Sequence, residues 1–218
     1  LNIQFAIKDK TVYVLEVNPR ASRTIPFVSK ATGISWAKIA ARVMGWKTLK
    51  KMGVKEKVPE HISVKEVVLP FARFTLQDTV LGPEMKSTGE VMGIGRDFGE
   101  AFAKAQLGAG EVLNRNGAAF VSVRDRDKLA IIPIVKDLTR LGFEILATEG
   151  TARALQKENV DARVVRKAHE ERPNIVDVIR SGEVSVVINT PLGKGPRTDV
   201  YHIRRQALMH KVMCVTTV

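Results

Sequence analysis

A single cysteine in 218 residues excludes a disulfide framework. That residue, Cys214, sits in the apolar run VMCVTTV, which fits a buried thiol in a reducing, cytoplasmic compartment. Aromatic residues make up only 6%, and none are interleaved with basic residues in the manner of a base-stacking nucleic-acid surface. No apolar run reaches the roughly 18 residues a membrane helix needs. No cleavable leader is visible, and no internal repeat. The chain does not begin with methionine and opens in mid-pattern on LNIQFAI, so it reads as part of something longer.

What is present is ordinary globular material. Hydrophobic residues are 44% and charged residues 27%, which is enough apolar content for a core in one or two domains. The formal charge is +12. Such a surplus suits nucleic acid, but equally nucleotides, phosphates or small anions. Its densest patch, Lys47 to Lys57 (KTLKKMGVKEK), reads as a solvated helix face and turn.

The pattern changes along the chain. Residues 3–7 and 11–17 read as a β-hairpin. Ser35 precedes a helix with Trp36, Ile39, Ala40, Val43 and Met44 at helical spacing. Residues 64–72 read as a strand interrupted by Glu66 and closed by Pro70, and LGPEMKSTGEVMGIGRD as a turn-rich connection. Asp97 and Glu100 form a capping-box pattern for a helix ending at Gly108. After the linker-like GAGEVLNRNG, strands at 118–123, 143–148, 162–166, 184–189 and 212–217 alternate with four helices. The first of those helices carries the stripe Ile131, Ile134, Val135, Leu138 and Leu141. Alternation of that kind is the mark of a parallel α/β sheet. The expected division is therefore residues 1–110, the tail of one domain, and 111–218, a small α/β domain.

Two stretches could carry chemistry. In EVNPRASRTIPFVSKATG, Glu16 and Asn18 alternate with Val17 and so share a strand face. Two oxygen donors at that spacing suit a hard cation such as Mg²⁺, usually bound together with substrate phosphates. Arg20 and Arg23 could supply planar donors to phosphoryl oxygens. The competing reading is an exposed strand end with surface arginines. In ATEGTA, a strand runs through Thr148, Gly150 and Thr151 into a helix, a design that directs backbone amides and hydroxyls at an anion. The plain alternative is a threonine-capped helix. Ser122, Lys128, Lys167, Asn189 and Thr190 stand at the other strand ends, where open α/β sheets bind ligands. Two lysines among these hydroxyls suggest a phosphate monoester.

Taken together, EVNPRASRTIPFVSKATG, VKEVVLPFARF and LGPEMKSTGEVMGIGRDFGEAFAKAQL resemble, in that order, the second ATP-grasp unit of the carbamoyl phosphate synthetase large-subunit family. The α/β region resembles the methylglyoxal-synthase-like regulatory domain that follows it there. The resemblance covers essentially the whole chain. It implies an ATP-grasp tail followed by a small parallel-sheet, Rossmann-like domain, part of an ATP-dependent ligase that is inactive as this segment alone. It makes Glu16 and Asn18 ligands of Mg²⁺ or Mn²⁺ holding ATP, and puts Arg20 and Arg23 at the transferred phosphate and carbamate. It makes Ser122, Lys128, Thr148, Thr151, Lys167, Asn189 and Thr190 a site for a nucleotide monophosphate such as UMP or IMP. Glu66 and Thr216 would take ornithine. Glu66 stands in an apolar context where a carboxylate needs a partner, an ornithine ammonium or a nearby Lys or Arg. Implied partners are the rest of the large subunit and a glutaminase small subunit, in an oligomeric cytoplasmic enzyme without nucleic acid or membrane. The sequence departs from the bacterial pattern at Pro191, where another Thr is usual, in the loop LGKGPR, and in CVTTV.

Two rival functions remain. A stand-alone methylglyoxal synthase needs a Gly-Gly-Asp after the third strand of the α/β unit; here KAHEERPNIVD offers His169 and Asp177 without it. A nucleic-acid-binding module rests on the positive charge alone.

Overall fold

The computed structural model describes residues 1–71, 85–111, 114, 116–190 and 199–218. Among these no helix is long and apolar enough to cross a membrane. The chain divides into two compact units: 1–66 with 90–109, and 67–89 with 110–218.

In the first unit, β1 (Asn2–Lys8) and β2 (Thr11–Asn18) form an antiparallel hairpin whose register shifts between Gln4 and Phe5. Both faces of β2 are exposed, Val12, Val14 and Leu15 included. The segment after β2 forms α1 (Thr24–Thr32). Pro26 lies in its first turn, where its missing amide hydrogen has no helical partner to lose. Gly33 ends the helix with φ 71°. Helix α2 (Trp36–Met44) follows at the expected place, although Ser35 makes no side-chain cap bond. Neither helix buries a residue, and between them Ile25, Val28, Trp36 and Ile39 line an apolar groove of about 510 Å³.

Strand β3 spans Ile62–Val68 rather than 64–72; Pro70, with no amide hydrogen, falls beyond it, and residues from 72 lie outside those described. The supposed connection LGPEMKSTGEVMGIGRD contains a further strand, β4 (Gly89–Gly95), which pairs with β3. Its glycines suggested turns, but they serve close packing instead. A Cβ at Gly93 would overlap the Ala101 carbonyl of α3 (Phe98–Ala109), and one at Gly95 would stand 2.5 Å from the Ala101 amide. Asp97 Oδ1 caps the Glu100 amide at 2.8 Å as expected. The Glu100 carboxylate turns instead to the Arg96 amide, also at 2.8 Å. Helix α3 runs through Gly108, whose added Cβ would stand 3.3 Å from Val91 Cβ.

The second unit is a five-stranded parallel sheet in the order β7-β6-β5-β8-β9. Its strands are β5 (Ala118–Ser122), β6 (Glu144–Ala147), β7 (Arg163–Val164), β8 (Val184–Asn189) and β9 (Met213–Val215). Between them run α4 (Lys128–Arg140), α5 (Glu149–Gln156), α6 (Ile175–Arg180) and α7 (Asp199–Met209). All five strands and four helices expected are present, with the edge strands β7 and β9 shorter than read. Strand β5 is buried on both faces by strict alternation. Ala119 and Val121 join one core with Ile131, Val135 and Leu155; Ala118 and Phe120 join the other with Ile175, Ile179 and Ile203. The α4 stripe differs from the expected one. Ile131, Ile132 and Val135 are buried and Leu138 packs against them, while Ile134 and Leu141 are exposed. Neighbouring helical positions point about 100° apart, and Ile132 rather than Ile134 flanks the stripe.

The chain enters this sheet at its centre, moves outward through β6 and β7, and returns to the other side of β5 for β8 and β9. The direction of winding therefore reverses beside β5. Open α/β sheets bind ligands at the carboxyl ends of the strands flanking such a reversal.

Candidate functional site

A cleft of about 530 Å³ opens there. Ser122 ends β5 and Asn189 ends β8, and the two are register partners. From β6 the chain passes directly into α5, with Thr148 in extended conformation at the N-cap. Thr148 Oγ1 lies 3.2 Å from Ser122 Oγ and 3.4 Å from Thr151 Oγ1. The Thr151 hydroxyl also accepts from the Val123 amide at 3.3 Å, and the Thr190 hydroxyl accepts from the Arg124 amide at 2.9 Å. Four of the buried polar side chains, Thr148, Thr151, Asn189 and Thr190, thus meet at one place. Polar groups taken from water need partners. The hydroxyls satisfy one another and the backbone, but the Asn189 Nδ2 is buried with no hydrogen-bond partner among the described residues. Asn189 is among the residues that line the cleft, and its amide nitrogen is a donor.

Two lysines supply charge. Lys128, the first residue of α4, holds Asp125 at 2.7 Å, and its ammonium lies 3.4 Å from where a Gly150 side chain would begin. Gly150 thus leaves room for a cation over the first turn of α5. Lys128 lowers the Asp125 pKa by hydrogen bonding and charge, so that carboxylate stays ionised. Lys167 follows β7, its amide donating to Glu170 at 2.7 Å, and it lines the same cleft. All seven residues expected here are brought together.

Sequence reasoning missed Arg124 and Asp199 and gave His169 no part in this site. Arg124 binds Asp127 at 2.8 Å and is the chief cause of that carboxyl's lowered pKa. Asp199, at the start of α7, faces His169: both carboxylate oxygens stand 2.7 Å from His169 Nδ1, and one accepts from the His169 amide at 3.1 Å. Thirty residues separate the pair, so no local spacing announces it. Asp177, the one acid weighed for catalysis, is committed to a capping box with Asn174 and to an ion pair with Arg172 at 2.7 Å. Pro191 and the loop LGKGPR lie outside the described residues.

The other candidate residues are more open. Glu16 and Asn18 lie two apart on β2, opposite Gln4 and Asn2. Their oxygen donors suit a cation shared with phosphate oxygens, but do not by themselves build a cage. Among the described residues no group of three or more His, Cys, Asp or Glu is placed to hold a metal. Arg20 bonds the Ala21 carbonyl at 3.2 Å. Arg23, next to α1, lies 3.9 Å from Glu90 of β4, which also binds Lys65 at 3.3 Å. Glu66, part-buried on β3, is in the first unit, and Thr216, exposed after β9, in the second.

A hydroxyl-rich cleft at the winding reversal of a parallel sheet places the second unit among open α/β domains. Residues 130–216 match the MGS-like domain, and residues 1–52 match the carbamoyl-phosphate synthase L chain, ATP binding domain. The whole chain is 55% identical to the carbamoyl phosphate synthase large chain of Pseudomonas syringae pv. tomato, 54% to that of Myxococcus xanthus and 52% to that of Synechocystis sp.. In each case it covers 20% of the relative. The chain therefore belongs to the carbamoyl phosphate synthase large-chain family, as an ATP-grasp tail followed by an MGS-like domain, and it spans about a fifth of the length of the relatives it matches.

Proposed function

We propose that this chain is the carboxyl-terminal segment of a glutamine-hydrolysing carbamoyl phosphate synthase, an ATP-dependent ligase. Residues 1–110 complete its second ATP-grasp unit, and residues 111–218 form an allosteric domain that takes a nucleotide monophosphate. The intact enzyme would join ammonia from glutamine to bicarbonate with two ATP, for pyrimidine and arginine synthesis. Its remaining ATP-grasp strands and its glutaminase subunit lie on other segments and chains, in a cytoplasmic oligomer.

The observation that carries the regulatory half is the buried Asn189 Nδ2, without a partner among the described residues and set among three buried threonines and Lys128. An oxyanion would accept from that donor while the lysines balance its charge. The α5 N-terminus adds a favourable dipole. In the synthetic half, Glu16 and Asn18 would hold Mg²⁺ or Mn²⁺, which when bound neutralises phosphate charge. Arg20 and Arg23 would orient the transferred phosphoryl group and offset its charge, since phosphoryl transfer is mainly positioning and electrostatics. Glu66 and Thr216 would take ornithine.

Calorimetric titration of this chain with UMP, IMP and inorganic phosphate tests the regulatory half. Preference for a nucleotide over phosphate, lost in Thr148→Ala and Lys167→Ala, is the expected result; no nucleotide binding refutes a self-sufficient effector site. For the synthetic half, Glu16→Gln in a complete large chain carrying this sequence should abolish carbamate phosphorylation. Unchanged synthesis rates would sink that assignment.

A further inference from the structure

Beside the main cleft lies a second one of about 310 Å³, near the lower end of the size range of small-ligand sites. His169 and Asp199 line both and form the wall between them. The rest of the second cleft comes from the segment before α6, from α6 and from α7. Its charge is mostly positive. Arg172 is fixed by Asp177 at 2.7 Å. Arg180, at the end of α6, donates from Nε to Gln206 Oε1 at 3.1 Å. That bond sets the plane of the guanidinium and uses only one of its donors. Among the described residues its two terminal nitrogens have no protein partner. His202 packs edge-on against Tyr201 at 5.4 Å between ring centres, and its ring nitrogens likewise have no hydrogen-bond partner among the described residues. Among the described residues the only carboxylate in the lining is Asp199, already engaged by the His169 ring and amide.

We infer that this second cleft binds an oxyanion, a phosphate or a carboxylate, on Arg180 with Arg172 and His202. A pre-oriented guanidinium with both terminal N–H groups open is the donor geometry that matches two oxygens of one planar or tetrahedral anion. The site is separate from the nucleotide cleft proposed above and does not depend on it.

The test is a titration of the whole 218-residue chain with inorganic phosphate, and separately with acetate, at fixed pH. The His202 ring resonances are followed by NMR in a Lys128→Ala/Thr148→Ala background that disables the larger cleft. A saturable shift is expected, weakened about tenfold or more by Arg180→Gln, as loss of a charge-assisted pair implies. Gln at 180 retains an amide for Gln206, and His202→Gln, read by calorimetry, provides an independent variant with the same expected weakening. Response to phosphate alone assigns the site to phosphates; response to both anions, to oxyanions generally. His202 resonances that ignore both anions, or that move only when the larger cleft is intact, overturn the inference.

Discussion

The two units use similar material to opposite effect. Among the described residues of the first unit, only Ala101 and Ala105 belong to the buried hydrophobic core, while Phe5, Tyr13, Val14 and Leu15 are exposed on its hairpin. In the second unit one strand alone, β5, buries Ala118, Ala119, Phe120 and Val121 completely or nearly so. The difference extends to chemistry. The cleft in the second unit is furnished by its own strand ends, with every hydroxyl held by a neighbour. Glu16 and Asn18 stand on an exposed ribbon opposite Gln4 and Asn2, so a cation site there depends on oxygen atoms brought from elsewhere. Preorganisation by packing and hydrogen bonds is what separates a site from a pair of suitable residues.

The largest test of this contrast is one substitution made twice. Phe120→Ala should lose about 3–5 kcal/mol of unfolding free energy, since the ring is fully buried between β5 and the α6/α7 layer. Phe5→Ala on the hairpin, with 55% of its surface already exposed, should lose well under about half of that. Urea unfolding of the two variants measures the ratio. Equal losses would mean that the hairpin is buried in solution by something outside these residues. Next in size is Gly93→Ala, where the new methyl group would meet the α3 backbone and force a shift costing about 1–3 kcal/mol. Gly110→Ala is the control for crowding, because nothing among the described residues lies within 4 Å, although its φ of 92° still disfavours a side chain. A drop in thermal midpoint at Gly93 no larger than at Gly110 would show that α3 can move away freely.

A smaller effect separates the clefts' chemistry from their stability. Thr148→Ala should weaken phosphate binding roughly ten- to a hundredfold, the loss expected of one good hydrogen bond to a charged group. Its effect on unfolding should be modest, because the hydroxyl's partners at 3.2 and 3.4 Å are other hydroxyls that can turn to each other. Calorimetry and urea unfolding on one protein sample give both numbers.

The legible parts of the sequence were those where one physical rule acts alone. Alternating strands and helices after residue 117 announced the parallel sheet, and Thr148, Thr151 and Asn189 could be placed at strand ends because parallel topology puts every strand's carboxyl end on one side. The illegible parts were those where two rules compete. Gly89, Gly93 and Gly95 carry a turn signal, and only the approach of α3 explains why they sit in a strand. Pro26 and Ser29 weaken the helix pattern of α1, whose start becomes clear only once Pro is allowed in a first turn. The His169–Asp199 pair is a tertiary contact, and nothing within either segment points to the other.

The smallest expected effect concerns Glu100, whose carboxylate joins the Arg96 amide and Lys104, the latter at 2.8 Å, to hold the first turn of α3. Its pKa falls from the ordinary 4.5 to about 2, chiefly through the Lys104 hydrogen bond and then the Arg96 amide. A folded-state value below the unfolded one means stability that is present above about pH 4.5 and is lost as pH falls toward 2. The group is at the surface, so solvent and salt screen much of the gain. Glu100→Gln should therefore be slightly less stable than the parent at pH 7, with the gap narrowing as pH falls from 4.5 and nearly closed at about pH 2. The same measurement in 1 M salt, where the screening length is roughly 3 Å, should reduce the gap at pH 7 without removing it, because the bond to the Arg96 amide is short and direct. A gap independent of pH would mean that Gln replaces the carboxylate's bonds in full, and that the anchoring of α3 rests on hydrogen-bond geometry rather than charge.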